Sequence, residues 1–295
     1  MVCQVSDQFW IPDEHSTMSK LKNSIEDLLY GFTEECFTAS TWLINQRFNW
    51  LYKTHKWAVR NNTPGEYTIP YGGLKGKTIL NKPGKFSSLD VFSLDELLLQ
   101  VLFKRITCSD FVVWDVGANI GLHTLFLSDL AKIVIAFEPD FTHAQTLKKN
   151  VRLSGVGNVR IIGKALYSKD GPLFFDNTHE NTSKAHIADV GTNVQVEGIR
   201  GDTFVANNPY LPPDILKIDV EGQAHNVLKG MGECLDKVRY VICELHDAQE
   251  SFGVYNILKA YNFRMLGQNL LWKEVQSPLR MPMNVWDGHI FAVKA

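Results

Sequence analysis

The sequence has no paired cysteines. Its five, Cys3, Cys36, Cys108, Cys234 and Cys243, are odd in number and scattered without a CxxC spacing. That excludes a disulfide framework and a zinc site, and reads as reduced thiols in a cytoplasmic protein. No apolar run reaches the roughly 18 residues that a bilayer span requires, so no membrane span is expected. Nor is the N-terminus a signal peptide, because Asp7, Asp13, Glu14 and His15 interrupt any apolar core there. Charge of one sign is missing too: the net charge is −2, with acids and bases mixed along the chain. Such a surface has no field to steer a polyanion, and nucleic acid is not an expected partner. A phosphate-binding loop is absent as well. Gly76-Lys77-Thr78 has the tail of one, but Tyr71 occupies the position of its first glycine.

What is present is a globular chain of 295 residues, 45% of them apolar, enough for one large domain with an appendage. Residues 1–60 are dense in aromatics, including Trp10, Trp42, Trp50 and Trp57, and helical spacing predicts helices over about 18–31 and 36–53. This helical module either forms its own core and a seam with the next domain or presents a wall to an acceptor. Residues 61–88, rich in Asn, Gly and Pro, read as linker with short strand pieces. The expected division is therefore 1–88 and 89–295.

From Leu89 the pattern alternates. Ser93-Leu-Asp-Glu96 is a capping box opening a helix to about Arg105. Apolar runs follow at 111–116, 132–138, 158–163, 214–220 and 238–245, with helical spacing at 120–131, 142–154, 222–235 and 253–262. Runs that are continuously apolar imply strands buried on both faces, hence a mostly parallel, doubly wound α/β sheet. Residues 172–200 resemble an added hairpin, and "VWDGHIFAVKA" supplies a last strand.

The first of these strands ends in Asp115-Val-Gly-Ala-Asn-Ile-Gly121, and the second ends at Glu138. Ligands of such sheets bind beyond the carboxyl ends of the strands, where a terminal acid can accept both ribose hydroxyls. A nucleoside is therefore expected. A dinucleotide fingerprint needs a middle glycine to admit a pyrophosphate, and Asn119 stands there instead. S-adenosylmethionine fits better, having ribose and adenine but no phosphate, and cationic groups that favour carboxylates such as Asp115.

These segments carry a resemblance. "DVGANIGLHT" (115–124), "FEPD" (137–140) and "LKIDVEGQAHNVLKG" (216–230) are similar to the signature segments of the FkbM family of class I S-adenosylmethionine-dependent methyltransferases. The resemblance covers about residues 90–295. It implies a Rossmann-like sheet of seven strands with a final antiparallel hairpin. It further implies that Gly117, Asn119 and Gly121 line the methionine moiety, with Thr124 starting the helix behind them and Glu138 and Pro139 at the ribose. Asn150 and Lys164-Ala165-Leu166 would lie near the adenine. Positions 223–226, Gln-Ala-His-Asn, depart from the acidic residues usual in the family.

For chemistry, Asp219, Glu221 and His246 end the fourth and fifth strands and face one crevice. Methyl transfer is an in-line displacement in which alignment supplies most of the acceleration, yet an alkanol acceptor must still lose a proton to a base within reach. Asp219 ranks first among these residues, and His246 is the expected proton acceptor. Glu221 also suits a helix N-terminus, and His123 and His225 read as structural. A divalent cation held by Asp219, Glu221 and His246 is conceivable, but no tight ligand motif appears and none is expected. The leading reading is O-methylation of a hydroxyl on a sugar, polyketide or related small metabolite. N-methylation of an amine or peptide and a non-catalytic nucleoside-binding module are the alternatives. Nothing in the sequence argues against a homo-oligomer.

Overall fold

The computed structural model describes residues 65–69, 73–81, 94–176, 186–187, 194–267, 273–274 and 288–295. The helices expected over 18–31 and 36–53, and the capping residue Ser93, lie outside them. In chain order the elements begin with β1 (Gly65–Thr68), β2 (Thr78–Asn81), α1 (Leu94–Ile106), β3 (Val112–Val116), α2 (Leu122–Ser128), β4 (Ile133–Phe137), α3 (Phe141–Leu153) and β5 (Val159–Ile162). They continue with β6 (Ala165–Leu166), β7 (Gly171–Asp176), β8 (His186–Ile187), β9 (Val194–Ile199), α4 (Gly201–Asn207), β10 (Ile215–Ile218) and α5 (Ala224–Met231). A 3₁₀ turn (Gly232–Lys237), β11 (Tyr240–Leu245), α6 (Ala248–Ala260), β12 (Phe263–Gly267), β13 (Lys273–Glu274) and β14 (Gly288–Lys294) complete the chain.

The main sheet has the order β13-β12-β14-β11-β10-β3-β4-β5. Strands β5, β4, β3, β10 and β11 run parallel, while β14 is antiparallel to both β11 and β12. It is the expected doubly wound arrangement of seven strands, with two-residue β13 added at one edge. The continuous apolar runs have a period-two explanation. Val112, Trp114, Val116, Leu216 and Ile218 point into a core shared with α4, α5 and α6, whereas Val113, Val134, Ile215 and Ile242 point into a core shared with α1 and α2. Each strand thus buries both faces, and helices cover both.

The expected hairpin is real: β7 and β9 pair antiparallel within a second small sheet, order β6-β9-β7-β8. The boundary expected at residue 88 needs correcting for the described part of the linker. The β1–β2 hairpin puts Ile69, Leu74 and Ile79 into the same core as Leu99, Phe103, Leu125 and Phe126. Hydrogen bonds fix it to α3, with Thr78 N donating to Ser154 Oγ (3.1 Å) and Leu80 N to Asn150 Oδ1 (2.8 Å). An ion pair between Lys77 and Asp129 (2.6 Å) adds a tie. Residues 65–69 and 73–81 are thus packed into the sheet domain.

Candidate active site

The connection after β5 returns the chain to the far side of β3, so the switch point lies between the carboxyl ends of β3 and β10, where a crevice must open. Its floor begins with the glycine turn. Gly117 has φ +76°, and a Cβ there would lie 1.9 Å from the Asp219 carbonyl oxygen, so only glycine lets the turn press against the end of β10. Gly121 has φ +93°, and its missing Cβ makes room for Leu147 of α3. Both glycines are therefore required by packing; Gly117 and Asn119 are partly exposed, but Gly121 is buried. Asn119 takes the left-handed conformation at φ +50°, which Asn tolerates better than most residues.

Glu138 follows β4 and is only 5% exposed. Its Oε2 accepts from Asn119 N (2.7 Å) and its Oε1 from Asp140 N (2.8 Å). One carboxylate thus ties the glycine turn to the start of α3. Burial pushes its pKa up to about 7, against the lowering effect of those two amides. A carboxylate oxygen accepts more than one hydrogen bond, so each retains capacity for a further donor. Pro139, next to it, is partly exposed.

Asp115 lies wholly inside. Thr124 Oγ1 donates to its Oδ2 (2.6 Å), and Lys217 Nζ lies 3.0 Å from its Oδ1. The register pairs Asp115 with Lys217 on adjacent strands, which brings the two side chains together. Lys217, 4% exposed, also reaches Asp219 Oδ2 at 3.2 Å. One ammonium therefore bridges two acids across the switch point. Burial alone would raise the Asp219 carboxyl. The Lys217 ammonium, a hydrogen bond with Glu244, and then His123 and His289 outweigh burial and hold it well below the usual carboxylate range. Lys217 thus holds one oxygen of Asp219, the residue expected to meet a cofactor ammonium or acceptor hydroxyl.

His246, after β11, sits among acids. Its Nε2 is 3.4 Å from Glu221 and 4.0 Å from Glu244, and its Nδ1 is 3.5 Å from Glu250. Burial alone would lower its pKa. The Glu250 carboxylate 3.5 Å from Nδ1 and the charges of Glu221 and Asp219 win, pushing it up to about 9. The expectation of a ready proton acceptor is corrected accordingly: at neutral pH the resting imidazole already carries its second proton. Asp219, Glu244 and His246 each offer a ligand atom within 4.8 Å of the others, so Glu244 replaces Glu221 in the cation-holding trio conceivable from sequence. Lys217 on Asp219 and the proton on His246 already supply positive charge to two of the three.

Four further expectations change. Asn150 is fully buried, its Oδ1 accepting from Leu80 N of β2 and its Nδ2 donating to Ile120 O of the glycine turn (2.8 Å), so the amide braces these two segments and does not face adenine. Thr124 is fully buried and orients Asp115 rather than facing a ligand. Ala165 and Leu166 form β6 with side chains 7% and 2% exposed, so only their backbone can meet a base. Glu221 precedes α5 by a turn instead of opening it; the first helical residue is Ala224, whose amide is taken by Glu250. Gln223 and Asn226, which depart from the family's acids, bond each other and the Tyr167 hydroxyl. His225 packs its Cβ on Gly253, and burial lowers its pKa, in line with a structural role. Lys217, Glu244 and Glu250 were not singled out from sequence.

Residues 115–265 match the family model described as the methyltransferase FkbM domain. The chain is 33% identical over 149 residues to the hexuronic acid methyltransferase AglP of Haloferax volcanii. That match covers 50% of this chain and 62% of the relative, less than two thirds of its length. It is 24% identical over 192 residues to the 31-O-demethyl-FK506 methyltransferase FkbM of Streptomyces tacrolimicus, covering 53% of this chain and 74% of that protein. Among solved structures, the methyltransferase FkbM of Methylobacillus flagellatus KT aligns with TM-score 0.42 at 14% identity, over 69% of this chain and 53% of that one. A protein of Streptococcus mutans solved in complex with SAH aligns with TM-score 0.42 at 13% identity, over 67% and 96%.

Proposed function

The chain belongs to the FkbM methyltransferase family, and on that premise we propose that it transfers a methyl group from S-adenosylmethionine to a hydroxyl oxygen of a sugar or related small metabolite. The observation that carries the reading is the set of groups at the carboxyl ends of the strands flanking the switch point, Glu138 after β4 and Asp219, Glu221, Glu244 and His246 at β10 and β11. The donor set fits the cofactor. Glu138 has acceptor capacity left for ribose hydroxyls, and its raised pKa marks a carboxylate that gains from further donors. Asp219, Glu221 and Glu244 gather near His246 at the ends of β10 and β11, which suits a ligand bearing a sulfonium and an ammonium. The absence of a phosphate-shaped turn at Asn119 points the same way.

Bound there, S-adenosylmethionine supplies an activated methyl group on a good leaving group. The chain's own residues position and deprotonate. Glu138 fixes the nucleoside end, and the Lys217 bridge keeps the ends of β3 and β10 in register, so that the acceptor oxygen is held in line. Asp219, kept ionised, stabilises positive charge near the reacting centre. His246 accepts the hydroxyl proton at Nε2 once it has given up its own to solvent. The sugar as acceptor is supported by the name of the hexuronic acid relative, and oxygen as the site by the presence of a base candidate.

The test is S-adenosylhomocysteine release against a panel of hydroxylated sugars, uronic acids included, followed across pH. A base that must first lose a proton with a pKa of about 9 predicts a rate rising about tenfold per unit from pH 7 and levelling near that value. His246→Gln should lower the rate about 10²-fold or more and flatten the profile. A flat wild-type profile, or turnover intact in His246→Gln, contradicts this assignment and shifts weight to an amine acceptor.

A further inference from the structure

We propose that Glu250 is a positioning residue for methyl transfer, one buried carboxylate that fixes the His246 ring with Nδ1 inward and Nε2 toward the crevice. The inference rests on reading that crevice as the methyl-transfer site. Glu250 is the third residue of α6, four positions after His246, and its side chain is 0% exposed. Its Oε2 accepts from His246 N (2.8 Å) and lies 3.5 Å from His246 Nδ1. Its Oε1 accepts from Ala224 N (2.7 Å), the first amide of α5. The same carboxylate therefore holds the end of β11, the ring and the start of the helix that follows Asp219 and Glu221.

A helix-capping role alone does not account for this. Asp247 caps α6 by accepting from Glu250 N (2.7 Å), and in a capping box the glutamate three residues on returns to the cap's own amide. Here the glutamate reaches past the cap to His246 N and across to Ala224 N. One amide follows β11 and the other opens α5, and a buried carboxylate facing a ring nitrogen selects the tautomer and leaves the other nitrogen to exchange protons. The ring is faced by Glu221 and Asp219 beyond β10, by Glu244 on β11 and by Glu250 on α6. His289 of β14 stands behind Glu244, and Lys217 behind Asp219. Among the described residues Glu250 is the carboxylate on the Nδ1 side, with Glu221 and Glu244 on the Nε2 side, so its removal frees the ring to turn.

The test uses the full chain labelled at histidine nitrogens. In the wild type, the proton remaining on the neutral His246 ring should reside on Nδ1; a proton on Nε2 overturns the proposal without any variant. Glu250→Gln should lower kcat about 10–100-fold while KM for S-adenosylmethionine stays within about threefold. In a His246→Gln background the same change should leave kcat unaltered, since a residue acting through His246 has nothing left to act through. An equal loss in both backgrounds, or no loss in either, overturns the proposal. If the wild type gives no turnover, the methyl-transfer reading fails by itself. The His246 titration then still decides: a fall from about 9 in Glu250→Gln upholds the positioning contact, and an unmoved titration overturns it.

Discussion

Glu138 is held by two backbone amides before any ribose reaches it, and this ties its protonation to folding. Its folded pKa of about 7 exceeds that of an unfolded glutamate, so the folded state keeps its proton to higher pH. The stability it contributes is complete below the unfolded value and is lost as pH rises through about 7, a change of about 3 kcal/mol. Urea unfolding between pH 5 and 8 should show that slope, and Glu138→Gln should flatten it; an identical slope in the variant contradicts the assignment. Glu138 was legible in the sequence because an acid ends an apolar run at the expected spacing from the glycine turn. Lys217 was not, since a lysine inside such a run carries no mark that it will meet Asp115 on a neighbouring strand. That contact depends on register, a long-range property. Glu250 was missed for a local reason. Helical spacing placed the start of α6 at 253, five residues late, although Asp247-Ala-Gln-Glu250 has the spacing of a cap and its third residue.

Between elements, Asn150 is the joint of most consequence, because α3 uses it to hold β2 with one end and the glycine turn with the other. Asn150→Ala leaves Leu80 N and Ile120 O without those partners and should cost about 1–3 kcal/mol for each group left unsatisfied. Hydrogen exchange should quicken at the Leu80 amide first; unchanged protection there would refute the joint. The resemblance put Asn150 near adenine, and its burial argues for the brace instead. Strand and helix positions were readable because two-sided burial makes the runs continuous, as at Val112–Val116 and Ile215–Ile218. The hairpin at 65–81 hid behind its Asn, Gly and Pro, which mark turns but say nothing of Ile69, Leu74 and Ile79 reaching the core.

For the whole molecule, the sheet order places Asp115, Glu138, Asp219 and Glu244 at the carboxyl ends of neighbouring strands, and residues well before Leu89 complete the core behind that sheet. A chain beginning at residue 89 loses three buried side chains, Ile69, Leu74 and Ile79. Large-to-small losses of this kind cost about 2–5 kcal/mol each, so that chain should aggregate or fail to fold, whereas one beginning at residue 64 keeps this part of the core. Equal melting temperatures for the two would contradict the shared core. None of the described helices is long and apolar enough to cross a membrane, and the fold directs attention to the crevice. Binding of S-adenosylmethionine through Glu138 is tested most directly by calorimetric titration of the full chain with the cofactor, beside its Glu138→Ala variant. Saturable one-to-one binding that weakens about 10–150-fold in the variant is the predicted result. No binding to the wild type, or equal binding by a folded Glu138→Ala protein, would contradict it.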